Sequence, residues 1–114
     1  MSKILLLAAL GLITAFILYK FYMDKFPKEF NEHALFVDVR TPEEFSSGSA
    51  PNAINIPLAT IKTNLDQFKG HEQVVVFCRS GGRSGKAKAI LEENGIQNVI
   101  NGGPWQNVAK NVAK

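Results

Sequence analysis

The chain has 114 residues, of which 46% are hydrophobic and 20% are charged; this length allows one packed domain, and this composition argues against disorder along most of the chain. The formal net charge of +3 at pH 7 is too small for the basic face that binds nucleic acid, so no nucleic-acid partner is expected. The single cysteine excludes an intramolecular disulfide, and the two histidines lie far apart, so neither residue type indicates a metal site.

The start of the chain is predicted to be a membrane segment. No charged residue occurs in residues 4–19, and if the ammonium group of Lys20 reaches the surface, the apolar run extends over residues 4–23. A run of this length forms about 30 Å of helix, which is enough to cross a bilayer. We therefore predict that residues 1–24 are an uncleaved anchor in contact with the membrane and that residues 25–114 are the folded domain.

A cleaved secretory signal is the alternative, because residues 1–3 form a short basic start before the apolar run. No cleavage site is convincing, since the small residues Ala9 and Gly11 would leave too short an apolar segment before them. The expected location is thus the cell membrane, with a single pass. More lysines follow the apolar run than precede it, which favours a cytoplasmic domain, whereas a signal anchor predicts the opposite side. The side of the membrane stays open.

From residue 34 onward, short apolar strands alternate with amphipathic helices. The apolar run 34–37 indicates a buried strand, and residues 41–44 supply the threonine, the proline and the acidic side chains that are typical of a helix start. Further strands are predicted at 53–56, 73–77 and 98–100, and helices at 59–68, 84–94 and around Trp105. This alternation predicts an α/β domain with a parallel sheet flanked by helices, and ligand sites beyond the carboxyl ends of the strands.

Cys78 directly follows the continuous β-branched segment 73–77, which is typical of a central parallel strand. Two glycines in the next turn let backbone N–H groups point inward, and these groups act together with the positive end of the following helix and two arginines. This environment is expected to bind anions and to lower the pKa of the thiol. We predict a nucleophilic thiolate rather than a cysteine that merely packs in the core. The loop residues after it are Arg79, Ser80, Gly81, Gly82 and Arg83.

Five motifs occur in an order that resembles a single-domain rhodanese: Phe36-Val37-Asp38-Val39-Arg40, Pro42-Glu43-Glu44-Phe45, Ala53-Ile54-Asn55-Ile56-Pro57, the loop from Cys78 to Arg83, and Asn101-Gly102-Gly103. The resemblance covers residues 35–105 and implies a rhodanese-like α/β fold after the transmembrane helix. It also implies that Cys78 takes sulfane sulfur from thiosulfate or a persulfide donor and passes it to a thiol or cyanide acceptor through a persulfide. The loop residues 79–83 would bind the small anionic donor, and no cofactor is implied.

Two other functions are alternatives to sulfur transfer. Phosphatases of the same fold have a loop that is one residue longer, because a tetrahedral phosphate needs more room than one sulfur atom. Four residues separate Cys78 from Arg83, which favours the sulfurtransferase over a phosphatase or an arsenate reductase. A non-enzymatic module that senses or carries a persulfide and delivers it to a neighbouring membrane protein is the other alternative, since an anchor would raise the local concentration. The protein partner is unknown.

Three charged residues of the motifs, Asp38, Arg40 and Glu44, are expected to support the site rather than to react. The resemblance favours structural roles for Asp38 and Arg40, with Arg40 paired to Glu43 or Glu44 across the turn. It also favours Trp105 as a lid over the core rather than as a substrate contact.

One loop departs from the pattern of the family and is expected to differ in shape. Ser49 and Ala50 stand where a His-Ile pair is usual, and Asn52 stands where glycine is usual. The strand that often precedes the first motif is also expected to be absent, because only about a dozen residues separate the anchor from Leu35. These departures bear on substrate range more than on the fold.

Overall fold

The computed structural model describes residues 2–112. An N-terminal helix is followed by a domain in which helices connect the strands. The helices are α1 (Lys3–Met23), α2 (Pro42–Ser46), α3 (Gly82–Glu93) and α4 (Trp105–Asn111); the strands are β1 (Leu35–Asp38), β2 (Ile54–Asn55), β3 (Val74–Cys78) and β4 (Val99–Pro104); two 3₁₀ helices span Leu58–Thr63 and Leu65–Phe68.

The four strands form one sheet in the order β2-β1-β3-β4, and every neighbouring pair is parallel. Parallel neighbours need crossover connections, which place helices over the faces of the sheet. In residues 2–112 no strand precedes β1, as expected from the short linker. The predicted α/β class with a parallel sheet is confirmed.

The side chains of β3 alternate between two hydrophobic cores. Val74, Val76 and Cys78 face the core that contains Ile61 and Leu91, whereas the intervening side chains face a second core with Val108 of α4. All five residues of β3 are buried, as the β-branched run predicts for a central strand. Each fully buried valine or leucine contributes about 1.5–3 kcal/mol relative to an exposed one, so β3 anchors both cores.

The single helix predicted over residues 59–68 is wrong, because two short 3₁₀ helices meet there at Asn64. The hydroxyl groups of Thr60 and Thr63 each donate to the carbonyl oxygen three residues earlier, and the amide of Asn64 donates to the carbonyl of Thr60. These side chains satisfy carbonyl groups that an α-helix would use, which explains the tighter turns. The predicted apolar face is kept, since Ile61 and Phe68 are fully buried.

The loop that departs from the family pattern adopts a defined shape. Asn52 lies in the left-handed region with φ 62°, where asparagine is tolerated better than most residues other than glycine. Ala50 is buried in the second core. The hydroxyl of Ser49 donates to the Asp38 carboxylate at 2.7 Å. The unusual residues are therefore accommodated by local contacts.

Helix α1 buries none of its 21 residues against the domain. Within the described residues it is the one helix long and apolar enough to cross a membrane, with a mean hydropathy of 2.3. The Ser2 hydroxyl caps its first turn by accepting from the N–H group of Leu5 at 3.2 Å. Its length and composition are compatible with an anchor and with a signal sequence.

Candidate active site

Cys78 ends β3 and is only 1% exposed. Its Sγ accepts a hydrogen bond from the N–H of Gly81 at 3.0 Å and another from the N–H of Ser84 at 3.5 Å. Gly81 is the residue that caps α3, and it has no side chain with which to accept from the first N–H groups of the helix. The sulfur atom of Cys78 takes that role, so the positive end of α3 is directed at this sulfur.

A chain of polar contacts continues from the sulfur to Asn101 of β4. The Oγ of Ser84 lies 3.3 Å from Sγ and donates to Oδ1 of Asn101 at 2.7 Å. The same Oδ1 accepts from the N–H of Gly103 at 2.9 Å, while Nδ2 of Asn101 donates to the Gly81 carbonyl at 3.1 Å. Asn101 therefore holds the loop and β4 together. When the thiol loses its proton, the Ser84 hydroxyl can turn from Asn101 and donate to the sulfur.

Two opposing influences set the pKa of the Cys78 thiol. Burial raises this pKa because a charged sulfur loses its hydration. The hydroxyl of Ser84 and the backbone N–H groups of Ser84, Ser80 and Gly81 lower it by hydrogen bonding to the thiolate. The hydrogen bonds prevail, so the pKa of Cys78 is lowered from its ordinary value. A lower pKa raises the thiolate fraction near neutral pH.

The predicted pairing of Arg40 with Glu43 or Glu44 is wrong. Arg40 instead donates two hydrogen bonds to the Asp38 carboxylate, from Nη2 to Oδ2 at 2.6 Å and from Nε to Oδ1 at 2.9 Å. Asp38 lies at the buried end of β1 and is inaccessible to solvent, so its charge requires a partner at hand. Nη2 of Arg40 also donates to the Gly48 carbonyl at 2.6 Å. The supporting role predicted for Asp38 and Arg40 thus takes the form of a buried pair that ties β1 to the following loop.

Glu44 binds Arg83, the last residue of the loop that follows Cys78. Nη1 and Nη2 of Arg83 donate to the two carboxylate oxygens of Glu44 at 2.6 and 2.9 Å. This pair lowers the pKa of Glu44 to about 2, chiefly through the hydrogen bond from Arg83, and it raises the pKa of Arg83. Glu44 is also part of the capping box of α2 with Thr41. Glu44 therefore fixes Arg83 relative to α2.

The other two loop side chains are exposed to solvent. Arg79 and Ser80 are exposed and line a cavity of about 290 Å³ together with Tyr19, Tyr22 and Met23 at the end of α1. The predicted site residues are thus divided: backbone groups surround Sγ, and the exposed Arg79 lines the cavity beside the end of α1. Gly82 is exposed as the first residue of α3.

Trp105 is half-buried and packs on the second core. The guanidinium carbon of Arg40 lies 5.4 Å from the centre of its ring, which is within the range of a cation–π contact. This placement beside the Asp38–Arg40 pair accords with the expected lid.

Two residues of the site were not among the predicted site residues. Ser84 follows the loop as the third residue of α3, and Asn101 belongs to the last motif, but neither carries a local signal that directs it to Cys78. Ser84 returns to the sulfur at the first turn of α3, whereas the place of Asn101 beside Ser84 depends on the parallel pairing of β3 with β4.

Comparison with known proteins gives four informative similarities. The pattern of the family described as Rhodanese-like domain matches residues 23–103. A sulfurtransferase of Allochromatium vinosum is 39% identical over 70 residues, which are 61% of this chain and 65% of that protein. A thiosulfate sulfurtransferase of Escherichia coli is 37% identical over 75 residues, which are 64% of this chain and 72% of that protein.

The fourth similarity is structural. A rhodanese-like domain protein from Staphylococcus aureus superimposes with a TM-score of 0.60 at 39% identity, covering 67% of this chain and 74% of the other. The fold implied by the motifs is confirmed. The chain spans just under two thirds of the Allochromatium protein, and the family match begins at the last residue of α1.

Removing the hydroxyl of Ser84 is expected to raise the pKa of Cys78, because one stabilising hydrogen bond to the thiolate is lost. The rate of Cys78 alkylation by iodoacetamide, measured across pH in the Ser84→Ala variant, should show its midpoint at higher pH. Ser46→Ala, which removes an exposed hydroxyl of α2, serves as the matched control. An unchanged midpoint in Ser84→Ala would contradict this role.

Proposed function

The chain belongs to the rhodanese family, and from this membership we propose that it is an enzyme that transfers sulfane sulfur from thiosulfate or a persulfide donor to a thiol or cyanide acceptor. Cys78 carries the sulfur as a persulfide. The observation that supports this most directly is the Sγ of Cys78, buried at the end of β3 and held by N–H groups of the loop. The names of the two relatives favour the same chemistry.

In the first half-reaction, the Cys78 thiolate attacks the outer sulfur of thiosulfate. A sulfur–sulfur bond forms to Sγ, the bond within thiosulfate breaks, and sulfite leaves with the electron pair. The N–H groups of Gly81 and Ser84, which already donate to Sγ, stabilise the negative charge of the persulfide. Arg79 and Arg83 attract the anionic donor to the loop.

In the second half-reaction, the acceptor thiolate or cyanide attacks the outer sulfur of the persulfide. The new bond forms to the acceptor, and the bond to Sγ breaks with its electron pair returning to Cys78. The thiolate is restored and no cofactor is consumed. Two successive transfers through one nucleophile give ping-pong kinetics.

The loop length favours sulfur over phosphate as the transferred group. Only four residues separate Cys78 from Arg83, and Arg83 is paired with Glu44 at 2.6 Å. An arginine held by a carboxylate is less able to grip a phosphate oxyanion with both of its terminal nitrogens. A phosphatase or an arsenate reductase is accordingly disfavoured.

A non-enzymatic persulfide carrier is the second candidate, and the burial of Cys78 favours it. With 1% of the residue exposed, a persulfide at Cys78 would be shielded from small acceptors in solution. A carrier would hold the added sulfur for long periods and release it to a membrane protein next to the anchor. Rapid turnover on cyanide separates the enzyme from the carrier.

We also propose that α1 is an uncleaved single-pass anchor in the cell membrane. Its apolar surface is left uncovered by the domain. Tyr19, Phe21 and Tyr22 cluster at the end nearest the domain, where aromatic side chains favour the interface.

Replacing Cys78 with serine is expected to lower thiosulfate:cyanide sulfur transfer by at least about a thousandfold, because the hydroxyl is a far weaker nucleophile than the thiolate. The test uses the purified full chain in detergent and measures thiocyanate formation. Circular dichroism of both proteins establishes that they are equally folded. Retention of the transfer rate would show that Cys78 is not the nucleophile.

The anchor predicts that the protein stays in the membrane fraction after a wash with alkaline carbonate, at the mass of the full chain. Immunoblotting of a C-terminally tagged protein measures both properties. Recovery of a shorter, soluble protein would instead establish that residues 1–24 are a removed signal.

A further inference from the structure

The linker that follows α1 packs directly on the catalytic loop. Phe26 is half-buried, and its ring covers the α-carbons of Gly81 and Gly103. A methyl group added to Gly81 would lie 2.7 Å from Cζ of the ring, and one added to Gly103 would lie 2.6 Å from Cδ1. Both distances are shorter than carbon atoms tolerate, so the ring fills the space against the two glycines.

The position of this ring is held by polar contacts on the residues beside it. The ammonium group of Lys28 donates to the Met23 carbonyl at 2.7 Å and to Oδ1 of Asn107 at 2.6 Å. The buried Asn107 in turn donates to the carbonyls of Pro27 and Gly102, both at 2.9 Å. The linker is therefore fastened to α4 and β4 on the C-terminal side of Phe26.

The two glycines under the ring belong to the framework of the nucleophile. Gly81 donates its N–H to Sγ of Cys78 at 3.0 Å, and its carbonyl accepts from Asn101. Gly103 donates to the same asparagine at 2.9 Å. Phe26 thus contacts the loop on one side, while Asn101 holds it on the other.

Gly81 needs such support because its conformation is weakly restricted by its own atoms. Its φ of 97° lies in the left-handed region, where glycine has access to many neighbouring conformations. The direction of its N–H group, and hence the hydrogen bond to Sγ, changes with that conformation. A rigid aromatic ring packed on the α-carbon limits the range.

We propose that Phe26 is a positioning residue for the catalytic loop: its ring holds Gly81 in the conformation that directs the N–H group at Sγ of Cys78. This inference rests on the proposed function of Cys78. It makes the segment next to the membrane a part of the active site, so that the linker does more than connect the anchor to the domain.

The test is a series of variants of the full chain in detergent. Phe26→Leu and Phe26→Ala remove progressively more of the contact, so the midpoint of Cys78 alkylation against pH should rise in that order, by about half to one unit for alanine. Turnover of thiosulfate should fall about three- to tenfold in Phe26→Ala. The KM for thiosulfate should change little, because Phe26 packs on the loop glycines and contacts no donor in the proposed mechanism.

Phe30→Ala is the matched control. Phe30 is a half-buried phenylalanine of the same linker, but it packs edge-on against Phe36 in the second core, with ring centres 6.1 Å apart. This variant should lower stability without shifting the alkylation midpoint. An equal shift in Phe30→Ala, or an unshifted midpoint in Phe26→Ala, would overturn the proposal. If Phe26→Ala does not fold, an unshifted midpoint in Phe26→Leu overturns it instead.

The alkylation measurement separates this inference from the proposed function, since it requires no sulfur transfer. A wild-type protein without transferase activity, in which Phe26→Ala still shifts the midpoint, would refute the function and retain the positioning role. An active wild type in which no Phe26 variant shifts the midpoint would refute the positioning role alone.

Discussion

The hydrogen bond from the N–H of Gly81 to Sγ of Cys78 is the interaction on which the rest of the site depends. A nucleophilic sulfur must be charged to react and shielded to carry a persulfide, and burial alone would favour the neutral thiol. Backbone donors resolve this conflict because they stabilise charge without adding a mobile side chain. The lowered pKa of Cys78 results from these donors together with the Ser84 hydroxyl, against the effect of burial.

The parallel sheet brings together the residues that hold this hydrogen bond in place. Since the carboxyl ends of β1 and β3 lie at one edge of the sheet, Asp38 and Cys78 come together from distant parts of the chain, and Asn101 within β4 reaches the loop through its hydrogen bond to the Gly81 carbonyl. The Asp38–Arg40 pair holds the loop after β1, and Glu44 holds Arg83. The ionic groups of these two pairs thus have protein partners, which leaves the loop N–H groups free to act on the sulfur. The main role of these paired charges is to hold the loops in place.

The helices and strands whose signals lie in neighbouring residues could be predicted from the sequence. The β-branched run before Cys78 and the Thr-Pro-Glu-Glu start of α2 both depend on neighbouring residues. The partners of the charged side chains could not be predicted in this way. Arg83 and Glu44 are 39 positions apart in the sequence. Asp38 and Arg40 are only two positions apart, but their pairing depends on where β1 lies. The contact of Phe26 with Gly81 and Gly103 has no local signal at all, because it depends on how the linker crosses the edge of the sheet.

The central claim is that Cys78 itself carries the transferred sulfur. The most direct measurement is mass spectrometry of the purified full chain after brief incubation with thiosulfate, followed by digestion to locate the modification. The peptide that contains Cys78 is expected to gain the mass of one sulfur atom and to lose it again when cyanide is added. Transfer of sulfur to cyanide with no added mass on that peptide at any time would contradict it.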